Sequence, residues 1–155
     1  MVTTRPESIT IRVAKTADAD DISRVILDSL HFTNAVDYSP EIISRVAKKF
    51  SPACVENLIA KRRVLVALMN ARIVGTASLD GNVIQTVFVA PDAQRRGVGR
   101  SLMCEIDRIA LDIGLHMLTV PSSITAETFY AKLGFVGVRD NYDGEERTII
   151  MERRL

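Results

Sequence analysis

Hydrophobic residues recur along the chain with two different periods, one of two residues and one of three to four. Alternation over Ile9–Val13 predicts a first β-strand with one buried face. Apolar residues at helical spacing follow a turn rich in aspartate, and they predict a helix that Thr16 or Asp18 caps and that ends near residue 32. Residues 1–8 carry no such pattern, so we expect a polar, flexible lead-in there.

Two serine-proline pairs predict two short helices in the next segment. Ser39 is a favourable N-cap residue, and Pro40 then occupies the first helical position, where its missing N–H costs nothing. Ser51 and Pro52 repeat the same signal. The polar residues 33–39 before them are predicted to form a loop. An interrupted helical region of this kind often borders a cleft.

Three strands joined by tight turns are predicted next. Residues 63–69 and 72–79 are rich in apolar and β-branched residues and are separated by the Asn70-Ala71 turn. Asp80-Gly81 then predicts a hairpin of type I′, in which both central residues have positive φ, leading into residues 83–89. We therefore expect these three strands to be antiparallel.

Helices and strands alternate in the remaining part of the chain. An apolar stripe predicts a helix from Val98 that Gly114 ends. A strand, helix and strand connected at this length usually form a parallel, right-handed crossover, so the sheet is expected to change from antiparallel to parallel here. The other predicted elements are a short buried strand over residues 116–120, a helix over 124–133, a strand over 135–138, an acidic loop over 140–146 and a closing strand over 147–152.

Composition limits the class of protein to a single globular domain covering residues 1–155. A chain of 155 residues with 47% hydrophobic content can bury a full core, and its net charge of +1 predicts no binding of nucleic acid or of an anionic membrane. Two distant cysteines, Cys54 and Cys104, favour reduced thiols in the cytoplasm over disulfides. The sequence offers no metal-ligand cluster or signal segment, and its longest apolar run, residues 64–69, is too short for a bilayer.

The chemistry is concentrated where the strand ending at residue 89 leads into the helix from Val98. Gly97 and Gly99 open that helix, whose first N–H groups lack intrahelical partners and carry partial positive charge. Glycine permits a close approach of an anion to this backbone. Three flanking arginines add side-chain charge: Arg95, Arg96 and Arg100. The junction is therefore predicted to bind a pyrophosphate.

Two common phosphate-binding motifs do not account for this junction. A Walker A loop requires Lys-Ser or Lys-Thr after its glycines, and neither follows here. The dinucleotide fingerprint requires a third glycine, and Leu102 occupies that position. A tight strand-to-helix turn without a ligand is the remaining alternative.

Two segments resemble the signature motifs of the GNAT acetyltransferases. Residues 94–99, reading QRRGVG, resemble motif A (Q/R-x-x-G-x-G/A), and residues 87–91, reading VFVAP, match the V-x-V-x-P element before it. Residues 126–135, reading AETFYAKLGF, resemble motif B (A-x-x-F-Y-x-x-x-G-F). This resemblance implies the GNAT fold, an α/β (α+β) domain. Its mixed, twisted sheet has about seven strands, with an antiparallel N-terminal part, a parallel pair at the loop and helices on both faces.

The resemblance also implies that acetyl-CoA is the co-substrate and that no metal takes part. In this family the glycine loop binds the pyrophosphate. The strand corresponding to residues 87–89 binds pantetheine and the thioester, and offers an N–H to the developing oxyanion. Ser123 stands where relatives often carry asparagine, and it can cap the following helix. The implied cofactor-binding residues are Val87, Phe88, Val89, Gln94, Arg95, Arg96, Gly97, Val98, Gly99, Arg100, Ser101, Ser123 and Tyr130.

Tyr130 is the catalytic residue that the resemblance implies, as general acid toward the CoA thiolate. A phenol with a pKa of about 10 can protonate or hydrogen-bond a thiolate whose acid has a pKa of about 8.5. The other interpretation of Tyr130 is an aromatic core residue whose hydroxyl meets water. Acetylation of a primary amine of a small molecule or peptide, by direct attack in a ternary complex, is the implied activity.

A general base is not evident. Many relatives carry a glutamate on the strand where this chain has Gln85 and Thr86. The candidates near the predicted loop are His31, Asp37 and Glu41, although His31 also fits a polar residue that ends a helix. The missing carboxylate supports an alternative function, a non-catalytic CoA-binding sensor or interaction domain.

The remaining expectations concern the acceptor and partner chains. The acidic residues Asp140, Asp143, Glu145 and Glu146 would attract a cationic amine, or else form a solvated turn. His116 is expected to be structural, at the start of a buried strand. Family habit implies a homodimer, and the exposed edge of the closing strand is the one feature that points to it.

Overall fold

The alternating segments pair into one mixed sheet in the computed structural model, which describes residues 8–155. Its strands are β1 (Ile9–Val13), β2 (Arg63–Met69), β3 (Arg72–Asp80), β4 (Val83–Val89), β5 (Met117–Ser123), β6 (Val136–Asp143) and β7 (Glu146–Arg154). They lie in the order β1-β2-β3-β4-β5-β7-β6, and every neighbouring pair is antiparallel except β4 and β5. The predicted change to parallel pairing is confirmed. Apart from Ser8, the predicted lead-in lies outside the described residues.

The helical segments follow their sequence signals closely. The helices are α1 (Ala19–Phe32), α2 (Pro40–Ala47), α3 (Pro52–Lys61), α4 (Val98–Asp112) and α5 (Glu127–Lys132). Ser39 Oγ accepts a hydrogen bond from the Ile42 N–H, and Ser51 Oγ accepts one from the Cys54 N–H, both at 3.3 Å. The two predicted short helices and their serine caps are thus confirmed.

Asp18, one of the two predicted residues, is the N-cap residue of α1, but its side chain does not cap that helix. Asp18 also ends a short 3-10 turn, and its carboxylate accepts a hydrogen bond of 2.7 Å from the Lys15 N–H. Arg12 binds the same carboxylate through two nitrogens, at 2.7 and 3.1 Å. An arginine from β1 therefore competes for the aspartate that local sequence assigns to the helix.

Helices cover both faces of the central strands. Residues 73–79 of β3 are all buried, without the alternation of a half-exposed strand. Both α1 and α4 contact β3 and β4, and a Cβ at Gly75 would lie 2.8 Å from a methyl group of Val98 in α4. Glycine is therefore needed at residue 75 for α4 to pack this closely.

Two tight turns join β2, β3 and β4, and the second differs from the predicted geometry. The turn between β2 and β3 has positive φ at both Asn70 and Ala71, as type I′ requires, although alanine rarely adopts it. The next hairpin turns at Gly81 and Asn82, and only Gly81 of these two has a positive φ, +60°. The type I′ prediction at Asp80-Gly81 is therefore wrong, although the hairpin itself is confirmed.

The C-terminal hairpin overturns the prediction of an acidic loop. Asp140 and Asp143 lie within β6, Glu146 begins β7, and Asp143 pairs directly with Glu146 across the turn. Aspartate has a low propensity for strands, but the hydrogen bonds that β6 forms with β7 outweigh this preference. The closing strand β7 lies between β5 and β6, so its edge is not exposed, and β1 and β6 are the edge strands of the described sheet.

Smaller boundary errors surround β5. This strand covers residues 117–123 rather than 116–120, and His116 is exposed just before it, not at a buried strand start. The last helix begins at Glu127, three residues later than predicted.

Within the described residues, no helix has the length and apolar character needed to cross a membrane. No cluster of three potential metal ligands occurs there either.

Candidate active site

The parallel strands β4 and β5 separate and open a cleft. Their described register contains one pair, Val83 with Thr119, at the start of β4. The strands diverge beyond that pair, and the cleft beside their carboxyl ends has a volume of about 660 Å³. Such a crevice, at a change of sheet topology, is a common ligand site in α/β proteins. It is bordered by α1, α2, α4 and α5.

A β-bulge at Thr86 distorts the wall that β4 contributes. The register with β3 shifts between Thr76 and Ser78, and Thr86 has a φ of +57°. Positive φ is unfavourable for a β-branched residue, so the surrounding structure must stabilise this conformation. Arg62 donates a hydrogen bond of 3.3 Å to Thr86 Oγ1. The bulge interrupts the ladder next to residues 87–89, which line the cleft where the thioester is expected.

The start of α4 supplies the cleft with backbone donors. Gly97 caps this helix with a φ of +84°, and the Ser101 N–H donates to the Gly97 carbonyl oxygen at 3.0 Å. The N–H groups of residues 98–100 therefore precede the first intrahelical hydrogen bond of the described helix. A Cβ at Gly99 would lie 3.1 Å from the ring of Phe129, so α5 packs tightly against this turn.

Most of the predicted cofactor-binding residues line the same cleft. The structure brings together Val87, Phe88, Val89, Gln94, Arg95, Gly97, Val98, Gly99, Arg100, Ser123 and Tyr130. Arg96 and Ser101 belong to the same segment but are not among the described lining residues, and their contact with a cofactor stays a prediction. The side-chain amide of Gln94 donates to Thr33 Oγ1 at 2.9 Å, which joins the glycine loop to the end of α1.

Tyr130 is buried but reaches the cleft. It is 4% exposed, and its ring packs edge-on against Phe129 and Phe135, with centroid distances of 5.2 and 5.7 Å. None of the described residues forms a hydrogen bond with its hydroxyl. Burial raises the pKa of Tyr130 well above its usual value, so the phenol stays protonated at neutral pH. This arrangement leaves a hydrogen-bond donor for a ligand.

Ser123 binds the turn before α5 and does not cap the helix as predicted, because α5 begins at Glu127 with Ala126 as its N-cap residue. Its Oγ accepts a hydrogen bond of 3.1 Å from the Ala126 N–H, in the turn that leads into α5. The serine also lines the cleft, so the turn before α5 is fixed at the site itself.

The three candidate bases are not brought to the cleft. Neither His31, Asp37 nor Glu41 is among its described lining residues, and all three are exposed. Asp37 instead accepts a hydrogen bond of 2.8 Å from Thr125 Oγ1. Gln85 and Thr86 do line the cleft, but neither side chain can act as a base.

Sequence reasoning missed the polar groups on the far wall of the cleft. Tyr38 accepts a hydrogen bond from the Ile124 N–H and donates one to the Arg147 carbonyl oxygen, both at 2.8 Å. Burial, with the nearby Glu146 carboxylate, raises the pKa of Tyr38. Asn34 is 8% exposed and also lines the cleft. Both residues fall in the segment predicted only as a polar loop, which has no periodicity to distinguish them.

Comparisons with known proteins agree with this geometry. Residues 34–151 match a family model described as an acetyltransferase (GNAT) domain. The chain is 33% identical over 132 residues to the uncharacterized N-acetyltransferase YafP of Escherichia coli (strain K12), covering 85% of this chain and 84% of that protein.

Solved structures share the fold over nearly the whole chain. A GCN5-related N-acetyltransferase from Rhodopseudomonas palustris has a TM-score of 0.89 and 29% identity, with 100% of this chain and 99% of that chain covered. PaiA N-acetyltransferase from Thermoplasma acidophilum, solved in complex with coenzyme A, has a TM-score of 0.82 and 24% identity, with 96% and 99% covered.

Proposed function

The chain belongs to the GNAT acetyltransferase family, and we propose that it transfers an acetyl group from acetyl-CoA to a primary amine of a small molecule or peptide. The transfer proceeds by direct attack in a ternary complex. One observation carries this proposal: a single cleft joins the free N–H groups of α4, the open gap between β4 and β5, and Tyr130. Acetyl-CoA would supply the thioester whose acyl carbon accepts the amine.

The residues present fit the charge and shape of this co-substrate. The α4 N–H groups, with Arg95 and Arg100, offer main-chain and side-chain donors to a pyrophosphate. Gly97 and Gly99 keep that approach open. The edge of β4 at residues 87–89 offers backbone partners to the pantetheine amides, because β5 has separated from it. Arg96, Ser101 and Ser123 are further proposed contacts.

Two groups of the chain would serve the chemistry. A backbone N–H beside the Thr86 bulge would donate to the carbonyl oxygen as negative charge develops there. As the N–C bond forms and the C–S bond breaks, nitrogen loses a proton and sulfur needs one, and the Tyr130 hydroxyl would donate it. Gln85 and Thr86 cannot take the proton from nitrogen. The acceptor therefore has to enter as the neutral amine. The proton that nitrogen loses after attack would pass to water, and the Tyr130 oxygen would regain a proton from water.

The lack of a general base on β4 favours a second candidate function, that of a CoA-binding sensor or interaction domain. The described wall of β4 carries no carboxylate in the cleft, so a protein that binds CoA without transfer would lose nothing at this position. In both candidate functions, the α4 loop (residues 94–100) would bind CoA in the same way. Only turnover separates them.

A thiol-release assay with acetyl-CoA and a panel of amines, run beside calorimetric binding of CoA, tests the proposal. Release of free thiol with some amine, together with CoA binding, would establish the transferase. Binding without turnover across polyamines, amino acids, aminoglycosides and peptides would favour the sensor. No binding would contradict both.

We also propose a cytoplasmic location and a homodimer. Cys54 and Cys104 are free thiols in the described chain, which supports a reducing, cytoplasmic setting. A homodimer remains the family expectation. The free edge strand of the C-terminal hairpin is β6, and all eight of its residues are exposed. Sedimentation or light scattering would measure the oligomeric state directly.

A further inference from the structure

The charged side chains that line the cleft come from two separate sides. Arg95 and Arg100 belong to the α4 loop, and Lys132 belongs to α5, which packs against that loop. Glu146, at the start of β7, is the single carboxylate among the described lining residues. The cationic side suits the phosphates of the co-substrate. The carboxylate is therefore available to the acceptor.

Glu146 is held in place by an arginine from α2. Arg45 Nη2 lies 3.1 Å from Glu146 Oε1 and also donates to the Asp143 carbonyl oxygen at 3.0 Å. The Glu146 side chain is 19% exposed. None of the described residues donates a hydrogen bond to its other oxygen, Oε2. One oxygen is thus fixed by the protein, and the other is available to a ligand.

The wall beside Glu146 is apolar and suits an aliphatic chain. Ile42, Ile43 and Val46 project from α2 into the cleft lining. Phe50 and Phe88 continue this wall as an edge-to-face pair with centroids 6.0 Å apart. A chain of methylene groups would bury apolar surface against these side chains.

A second polar group in the cleft lacks a partner. The side-chain amide of Asn34 makes no hydrogen bond with any described residue, although the residue is buried, and it lines the cleft. No fully buried side-chain nitrogen or oxygen of the described residues lacks a partner, so the amide of Asn34 faces the open cleft, where a ligand can bind it. Its oxygen can accept an N–H from a neutral amine, and because the amide has no net charge it favours the protonated form of that amine less than a carboxylate does.

We infer that Glu146 binds a second, positively charged group of the acceptor, and that the acceptor is an aliphatic diamine or a related amine with two basic nitrogens. This inference rests on the proposed function. A carboxylate in contact with the attacking nitrogen would hold that nitrogen protonated and unreactive. Glu146 is therefore suited to the nitrogen that does not react, while Asn34 is suited to the neutral one.

Matched acceptors test the inference in the wild-type protein. Diaminoalkanes such as putrescine and cadaverine are compared with butylamine and pentylamine, which have the same chains but one nitrogen. The expected kcat/KM is about ten- to a hundredfold higher for the best diamine than for its monoamine, the range typical of a hydrogen bond to a charged group. Equal rates for both members of each pair would overturn the inference and leave the transferase intact.

Two glutamine variants test whether Glu146 causes the preference for diamines. Glu146→Gln should raise the KM for the diamine by about ten- to a hundredfold, with little change for the monoamine and in CoA binding. Glu145→Gln removes the same charge from the neighbouring exposed residue, which does not line the cleft, and should preserve the preference. An unchanged diamine KM in Glu146→Gln would contradict the inference.

Calorimetry provides a readout that does not depend on turnover. Putrescine should bind the CoA-saturated wild-type protein more tightly than butylamine does, and this difference should disappear in Glu146→Gln. If Glu146→Gln fails to fold, the comparison of putrescine with butylamine in the wild-type protein still tests the inference. If the protein binds CoA and acetylates no amine at all, the proposed function fails and this inference fails with it. Transfer to monoamines without a preference overturns this inference alone.

Discussion

The two tyrosines of the cleft should respond in opposite ways to the same substitution. Tyr130→Phe removes a hydroxyl with which none of the described residues forms a hydrogen bond, while keeping the ring between Phe129 and Phe135. The free energy of unfolding should therefore change by less than about 0.5 kcal/mol. Turnover at saturating substrates should fall by about 10² to 10⁴, because a positioned proton donor is lost.

Tyr38→Phe is the matched control on the opposite wall. Its hydroxyl links the Ile124 N–H to the Arg147 carbonyl oxygen, so the substitution leaves a donor and an acceptor without their partner. The expected loss of unfolding free energy is about 1–3 kcal/mol. Turnover of the folded variant should fall far less than in Tyr130→Phe, since this hydroxyl is already occupied by the backbone.

Urea unfolding and the thiol-release assay measure both quantities on the same preparations. Unchanged turnover in Tyr130→Phe would refute its role as the acid, whatever its stability. A loss of stability comparable with that of Tyr38→Phe would show that the Tyr130 hydroxyl has a structural partner after all. CoA affinity should be similar in the two variants, because neither substitution alters the α4 loop.

Four further predictions concern Tyr130 again, Gly97 at the start of α4, Asn34 in the cleft, and the ion pair between Arg12 and Asp18. Because burial raises the pKa of Tyr130, its contribution to stability is complete below about pH 10 and is lost as the pH rises further. The unfolding free energy of the wild type should thus fall more steeply in alkali than that of Tyr130→Phe. Gly97→Ala should cost about 1–2 kcal/mol, measured in urea, because of its φ of +84°, and should weaken CoA binding measured by calorimetry. Asn34→Ala should lower kcat/KM for the acceptor about tenfold in the thiol-release assay without altering CoA affinity. The Arg12 guanidinium lowers the pKa of the Asp18 carboxyl, so this pair stabilises the fold above about pH 4 and its contribution is lost as the pH falls through the lowered value. Asp18→Asn should therefore flatten the acid side of the stability profile.

Controls for these predictions follow from the contacts. Gly81→Ala, with a φ of +60° in a distant hairpin, should destabilise the fold to a similar extent without affecting CoA binding. An equal loss of CoA affinity in that variant would assign the Gly97 effect to stability. An acid limb identical in the wild type and Asp18→Asn would contradict the assignment to this ion pair.

Elements whose signals are local could be predicted from the sequence. The Ser39-Pro40 and Ser51-Pro52 starts succeeded because the cap and the N–H it binds lie three residues apart. The start of α4 after Gly97 was equally evident, since glycines follow a strand just where a helical period begins. That this loop binds a pyrophosphate stays a prediction. Tyr130 came from the resemblance to motif B. Its burial and the absence of a described partner for its hydroxyl came from packing.

The cleft wall that contains Tyr38 and Glu146 could not be predicted, because its contacts join distant parts of the chain. Arg45 and Glu146 are 101 residues apart, and Tyr38 and Ile124 are 86 apart. Local propensity also failed at residues 140–146, where pairing with β7 outweighs the preference of aspartate for turns. The sequence by itself determined the helices, most strands and the glycine loop that opens α4, because hydrogen bonds between near neighbours specify them. Only the tertiary structure decided which carboxylate lines the cleft and which tyrosine hydroxyl remains available, because both depend on strand order and on side chains that meet across the sheet.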